Sequence, residues 1–246
     1  MGGNMGGGSG RGCGRGMGGT GSGRGMSSGV GISGGCQRAG NPGQFNDWGL
    51  SDRAAHRTQH IAQLRADISA APRLPLNRLE QEDLLLMREK EKIARDVYQR
   101  LYARWGIRPF DNISGAEQAH MDAILALLEH HGLPDPAQGL AVGQFRRTDL
   151  QDLFDRLVEQ GLRSEADAVR VGLLIEELDI ADLQKAAART DKPEIRAVYA
   201  ELERGSRNHL RAFYRWKQKL GIDYVPQHLP HEEFERTGQS AHEICD

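Results

Sequence analysis

Apolar residues recur through residues 76 to 235 at steps of three and four, with no sustained two-residue alternation, so this stretch reads as helix without strand. A first long helix is predicted from Asn77 or Leu79 to Trp105, closed by Gly106, with Leu84, Met87, Glu91, Ala94, Tyr98, Leu101 and Trp105 in its inward row. A second is predicted from Ser114, an N-cap candidate with Glu117 three residues on, to His131 before Gly132 and Pro134. Its row is Glu117, His120, Ile124, Leu127 or Leu128, and His131. Residues 133 to 148 form a connection with Pro134, Pro136 and Gly139, and a short helix over about 148 to 160 follows. A third long helix opens at Ser164, with Glu165 and Asp167 in its first turn, and runs to about Arg189 with Val169, Leu173, Glu176, Ile180, Leu183 and Ala187 in register. Pro193 suits the first turn of a fourth, extending to about Leu220 with Leu202, Ser206, His209, Phe213, Trp216 and Leu220 aligned. Four long helices with a short extra helix in the crossover predict an all-α four-helix bundle.

Each apolar row is broken by a residue that can ligate metal. Glu91 interrupts the first, Glu117 with His120 the second, Glu176 the third and His209 the fourth. Residues three apart on a helix share a side, so Glu117 and His120 can grip one ion together; Asp179 stands in the same relation to Glu176. A buried carboxylate costs several kcal/mol unless it is paired, hydrogen-bonded or metal-bound. Two divalent cations shared by bridging glutamates, each also held by a histidine, would satisfy the whole set. The competing expectation is a buried polar network in which these acids pair with Arg88, Lys92, Arg95, Arg207 or Arg211. Glu177 lies about 100° round its helix from Glu176, and Glu89 about 160° from Glu91, so both are expected to face solvent or outer partners. Tyr98 is read as a core tyrosine that can reach a ligand; Trp105, Phe213 and Trp216 are read as core aromatics.

The flanks differ in composition. Residues 1–46 hold most of the chain's 31 glycines and four arginines (Arg11, Arg15, Arg24, Arg38) but no acid, and predict a disordered tail. Its Gly-Arg-Gly steps could touch RNA, but the tail lacks tyrosine and tryptophan for base stacking, and no nucleic-acid-binding face follows from a chain of net charge −2. Residues 47–75 read as a linker with an amphipathic helix carrying Leu50, Ala54, Ile61, Leu64 and Ile68, and with His56 and His60 as surface residues; 236–246 reads as a C-terminal tail. Cys13, Cys36 and Cys245 show no metal-binding spacing and no disulfide framework. No segment is long and apolar enough for a signal peptide or a membrane span, so a cytoplasmic protein without membrane contact is expected.

Four runs carry a resemblance: Leu86-Met-Arg-Glu-Lys-Glu-Lys-Ile-Ala-Arg-Asp-Val-Tyr98, Glu117-Gln-Ala-His-Met-Asp122, Ile175-Glu-Glu-Leu-Asp-Ile-Ala-Asp-Leu183 and Gly205-Ser-Arg-Asn-His-Leu-Arg-Ala-Phe213. Together they resemble the ferritin-like family catalogued as domain of unknown function 2202, over roughly residues 78 to 235. The resemblance implies a ferritin-like bundle with two iron or manganese ions, held by Glu91, Glu117, His120, Glu176 and His209. Where the fourth helix should offer a glutamate three residues before His209, this chain has Ser206; Asp179 is the candidate for the missing oxygen ligand. Such a site implies chemistry with dioxygen or peroxide, or metal handling, with electrons from an outside donor because no rubredoxin-like cysteine cluster is present; a homo-oligomer suits the fold class. A non-catalytic helical scaffold, with its Gly-Arg tail contacting RNA or protein, is the alternative.

Overall fold

The computed structural model describes residues 50–244, and side chains over 58–244. The Gly-rich tail over 1–46, Cys13, Cys36, Cys245 and the side chain of His56 lie outside the described residues. Within them the protein is all helical: α1 (Leu50–Ala70), α2 (Arg78–Trp105), α3 (Arg108–His131), α4 (Thr148–Gly161), α5 (Glu165–Ala187), α6 (Pro193–Lys219) and α7 (His231–Gln239).

The helix ends follow local chemistry. A capping box opens α2: Asn77 Oδ1 accepts from the Glu80 N–H (3.0 Å), and Glu80 Oε2 accepts from the Asn77 N–H (2.7 Å). Gly106 closes α2 in the left-handed region (φ 63°), donating its N–H to the Tyr102 carbonyl. Ser164 caps α5, its Oγ accepting from the Asp167 N–H at 3.0 Å. One expected cap is corrected. The helix expected to start at Ser114 begins at Arg108, and Ser114 lies inside it with its Oγ donating to the Asp111 carbonyl. Pro109 sits in the first turn, where its missing N–H costs no hydrogen bond, and burial of Phe110 and Ile113 draws the preceding segment into the helix.

Cross-contacts set the directions of the long helices. Along α2, Glu80, Asp83, Lys90 and Tyr98 meet Lys192, Arg189, Asp182 and Glu176 in descending order, so α2 and α5 run antiparallel. Between α3 and α6, Glu117 meets His209 and His131 meets Glu194, again antiparallel. α2 packs on α3 and α5 on α6.

Two apolar clusters form between them. One gathers Val97, Leu101, Phe110, Val169, Leu173, Leu210 and Phe213; the other gathers Leu84, Met87, Ile124, Leu127, Leu183, Val198 and Leu202. Glu91, Glu117, His120, Ser206 and His209 are buried at helix positions where one cluster gives way to the other, and Glu176 is buried between Ile175 and Ile180 of the first. Each fully buried leucine or phenylalanine contributes about 1.5–3 kcal/mol, so the two clusters offset a polar layer that costs several kcal/mol to desolvate.

α1 lays Ile61, Leu64 and Ile68 against the second cluster, and His60 Nε2 stands 3.1 Å from Glu201 on α6. Phe234 of α7 is buried against Tyr214 and Tyr224. Beyond α7, Glu243 bonds Arg207 and Arg211 of α6, and its N–H donates to Asn208 Oδ1 (2.9 Å). Hydrogen bonds from Arg207, opposed by burial and joined by Arg211, push the Glu243 carboxyl down to about 2. No helix among the described residues is long and apolar enough to cross a membrane.

Candidate metal centre

The sequence rows converge. Glu91 comes from α2, Glu117 and His120 from α3, Glu176 from α5 and His209 from α6, each with a nearly fully buried side chain. Their arrangement is close to symmetric about Glu117. Glu117 Oε2 stands 2.8 Å from His120 Nδ1, which is 3.1 Å from Glu91 Oε2. Glu117 Oε1 stands 2.9 Å from His209 Nδ1, which is 3.4 Å from Glu176 Oε2. Glu91, Glu117 and His120 thus form one group of convergent ligand atoms, and Glu117, Glu176 and His209 a second. Glu117 belongs to both, with one oxygen in each. The imidazoles of His120 and His209 stack with centroids 5.5 Å apart.

Two further residues fix this geometry. Tyr98 is fully buried and donates its hydroxyl to Glu176 Oε1 at 2.5 Å, leaving Oε2 as the oxygen that faces His209. Burial and the negative charge of Glu176 push the Tyr98 phenol well above its ordinary range, so it keeps the proton it donates. Gly205 on α6 lies against His120: a Cβ there would stand 2.5 Å from Nε2. Periodicity could not rank this glycine, although a glycine inside a long helix costs about 1 kcal/mol and so points to a packing reason.

Burial and mutual charge shift every titratable group of the layer. Burial pushes the Glu91 carboxyl up to about 7 against the pull of His120. Glu117 is burdened by the same burial, but the charges of His209 and His120 outweigh it and hold its carboxyl below the ordinary range. Burial disfavours the charged form of both imidazoles, yet Glu117 with Glu91 raises His120 well above its usual range, and Glu117 with Glu176 lifts His209 to about 9. Burial, opposed by His209, raises Glu176.

The competing cations are engaged elsewhere. Arg88 bonds Asp135 through two hydrogen bonds of 3.0 and 2.9 Å. Lys92 bonds Asp96 and the Ala141 carbonyl, and Arg95 bonds Asp96 and Gln118. Arg207 and Arg211 share Glu243. None of the five touches Glu91, Glu117 or Glu176, so the pairing expected as the alternative to metal is not the one formed.

The donor set fits metal. With metal–ligand bonds of about 2.1 Å, adjacent ligand atoms stand about 3.0 Å apart at a right angle and about 3.4 Å at the tetrahedral angle. The observed nitrogen–oxygen separations run from 2.8 to 3.4 Å. Glu117 Oε1, Glu176 Oε2 and His209 Nδ1 are buried and make no hydrogen bond despite this closeness. Imidazole with carboxylate suits iron, manganese or zinc.

Other expected positions fall differently. Asp179 is buried in the same region, its carboxyl pushed well up by burial and by Glu91, but it lies outside both groups of convergent atoms. Ser206 turns its Oγ to the Leu202 carbonyl (3.2 Å). Glu177 and Glu89 do not face solvent; both are buried. Glu177 accepts hydrogen bonds from the Tyr224 hydroxyl and from the Gln227, His228 and Leu229 N–H groups, so the segment after α6 covers the back of α5. Glu89 is covered near Arg146 and Arg147, and burial raises its carboxyl.

The site and fold define a helical protein with buried carboxylate–histidine groups able to hold metal. Residues 80–241 match the family described as "Uncharacterized protein domain (DUF2202)", and the chain belongs to that family. It is 46% identical over 176 residues, 72% of this chain and 95% of the relative, to the uncharacterized protein MJ0754 of Methanocaldococcus jannaschii. The crystal structure of that hypothetical protein from Methanococcus jannaschii matches with a TM-score of 0.69 at 45% identity, covering 71% of this chain and 99% of the solved one.

Proposed function

We propose that this protein is a ferritin-like four-helix bundle formed by α2, α3, α5 and α6 that holds two iron or manganese ions and reacts with dioxygen or peroxide. The observation that carries the reading is Glu117, which presents one oxygen to each of two histidine–carboxylate pairs. With Glu117, Glu91 and His120 would hold one ion, and Glu176 and His209 the other. When bound, redox-active metal supplies the electrons that reduce the oxidant. The rest falls to the chain. Tyr98 holds one oxygen of Glu176, which leaves the other facing His209 and free to ligate a metal. The apolar clusters on either side keep bulk water from the charged layer. Ser206 turns its hydroxyl to the Leu202 carbonyl and supplies no carboxylate, so the chain would offer fewer ligands than the full ferritin-like pattern. Asp179 is the remaining buried oxygen donor nearby; an Asp179→Asn variant with full metal content would remove it from the ligand set.

The test is oxidant consumption by protein loaded anaerobically with ferrous ion and then mixed with dioxygen or hydrogen peroxide. Consumption faster than that of free ferrous ion, and lost in Glu117→Ala/His209→Ala, is expected. Retained metal without faster consumption would reduce the function to metal handling. Failure to hold metal would leave the scaffold.

A further inference from the structure

A second cluster lies at the far end of α3, outside the centre just described. His130 and His131 form the last turn of α3, and Glu194 stands in the first turn of α6. The histidine at position 120 is eleven residues, about 16 Å of helix, from His131, too far for the two clusters to share a ligand. His130 Nε2, His131 Nε2 and Glu194 Oε1 are all buried, and none makes a hydrogen bond. His131 Nε2 and Glu194 Oε1 are 3.4 Å apart, and one ligand atom from each of the three residues lies within 4.8 Å of the others. The two rings are nearly perpendicular (86°), with centroids 4.8 Å apart.

An orphaned buried polar atom costs about 1–3 kcal/mol, so three converging on one point call for a shared partner. Among the described residues no protein group fills that role. Lys192 is the nearby cation, and its Nζ is committed to both oxygens of Glu80 at 2.9 Å. His130 and His131 also line a cavity of 270 Å³ with Arg73, Leu76 and Gln81, large enough to hold water beside the cluster. Two imidazoles and one carboxylate are a donor set that zinc and ferrous ions both accept.

We propose that His130, His131 and Glu194 form a second, separate site for one divalent transition-metal ion, with its remaining coordination positions open to the adjacent cavity. The site clasps the end of α3 to the start of α6 and does not depend on the paired centre.

Cobalt(II) is the probe, used on the full chain after thiol alkylation so that cysteines do not report. In a Glu117→Ala/His209→Ala background, about one equivalent should bind with visible d–d absorbance. Adding Glu194→Gln or His131→Gln should weaken that binding at least tenfold, a loss of the size seen when metal-site partners are removed. Circular dichroism checks that each variant is folded. If the background itself does not fold, the same two substitutions in the otherwise unaltered chain should each remove one equivalent from the total. Cobalt binding that neither substitution alters, or no cobalt binding that either could remove, would overturn the site. Because the background lacks the paired centre, these outcomes are independent of whether that centre binds metal.

Discussion

Replacing Gly205 with alanine separates a glycine that merely sits in a helix from one that makes room for a ligand. At an exposed interior position of α6 the change should add about 1 kcal/mol of stability, since alanine is the better helix former. Here the new Cβ would lie 2.5 Å from His120 Nε2 and 2.7 Å from Cε1. Ordinary contact begins near 3.5 Å, so the ring must retreat by about 1 Å. It has little freedom to do so. Its Nδ1 lies 3.1 Å from Glu91 Oε2 and 2.8 Å from Glu117 Oε2, and the His209 ring is stacked on it. Overpacking of this kind costs about 1–3 kcal/mol, which leaves a net loss of up to about 2 kcal/mol after the propensity gain. A ring displaced by that much should also weaken metal binding by about tenfold, as outer-shell changes do. Urea unfolding and ferrous or manganous titration measure the two effects. A Gly205→Ala protein that is about 1 kcal/mol more stable and binds metal unchanged would refute the fit of His120 against α6.

Tyr98→Phe should cost about 1.5–3 kcal/mol in urea unfolding, the worth of a hydrogen bond to a charged group, and loosen metal held by Glu176 without abolishing it; unchanged stability and affinity would remove Tyr98 as a positioning residue. Burial raises the Glu80 carboxyl, but Lys192, Thr190 and the Asn77 N–H outweigh it and lower it from its ordinary 4.5. Its contribution is therefore present above pH 4.5 and lost as the pH falls through the lowered value. Glu80→Ala should cost about 3–5 kcal/mol at pH 7 by stranding Lys192, with the gap to the unaltered protein closing in acid; a gap that stays constant with pH would contradict this. Glu177→Ala should cost about 3 kcal/mol or more and release amide protons of residues 227–229 to hydrogen exchange, because their N–H groups lose the carboxylate they share. Retained protection there would show that another group holds the segment.

How far the sequence can be read depends on what each residue's neighbours are. Glu91, Glu117, His120, Glu176 and His209 are legible because each interrupts an apolar row at helical spacing, and the rows meet at one level. Asp179 shares the side of Glu176 but stands outside both groups, a distinction that needs three-dimensional distances. Periodicity turns Glu177 and Glu89 from the ligand row but does not decide between solvent and outer partners, and both are buried. α5 is covered on that side by the segment after α6, and only tertiary contacts reveal such a second buried face. The start of α3 is misleading because Ser114 and Glu117 mimic a capping box, while the actual start rests on Pro109 and on burial of Phe110. α7 gives little signal since it offers essentially one large apolar residue, Phe234, and the segment beyond it is held by Glu243 through charge. His131 lies in its row with His130 beside it, but Glu194 needs the antiparallel contact of α3 with α6 to meet them.

The most direct measurement is the iron and manganese content of the untagged protein beside Glu117→Ala/His209→Ala, by inductively coupled plasma mass spectrometry. The unaltered chain should carry about two equivalents more than the variant, one for each group that meets at Glu117. Equal metal content in the two, or an unaltered protein that is metal-free and refuses added ferrous ion under anaerobic conditions, would contradict the paired centre.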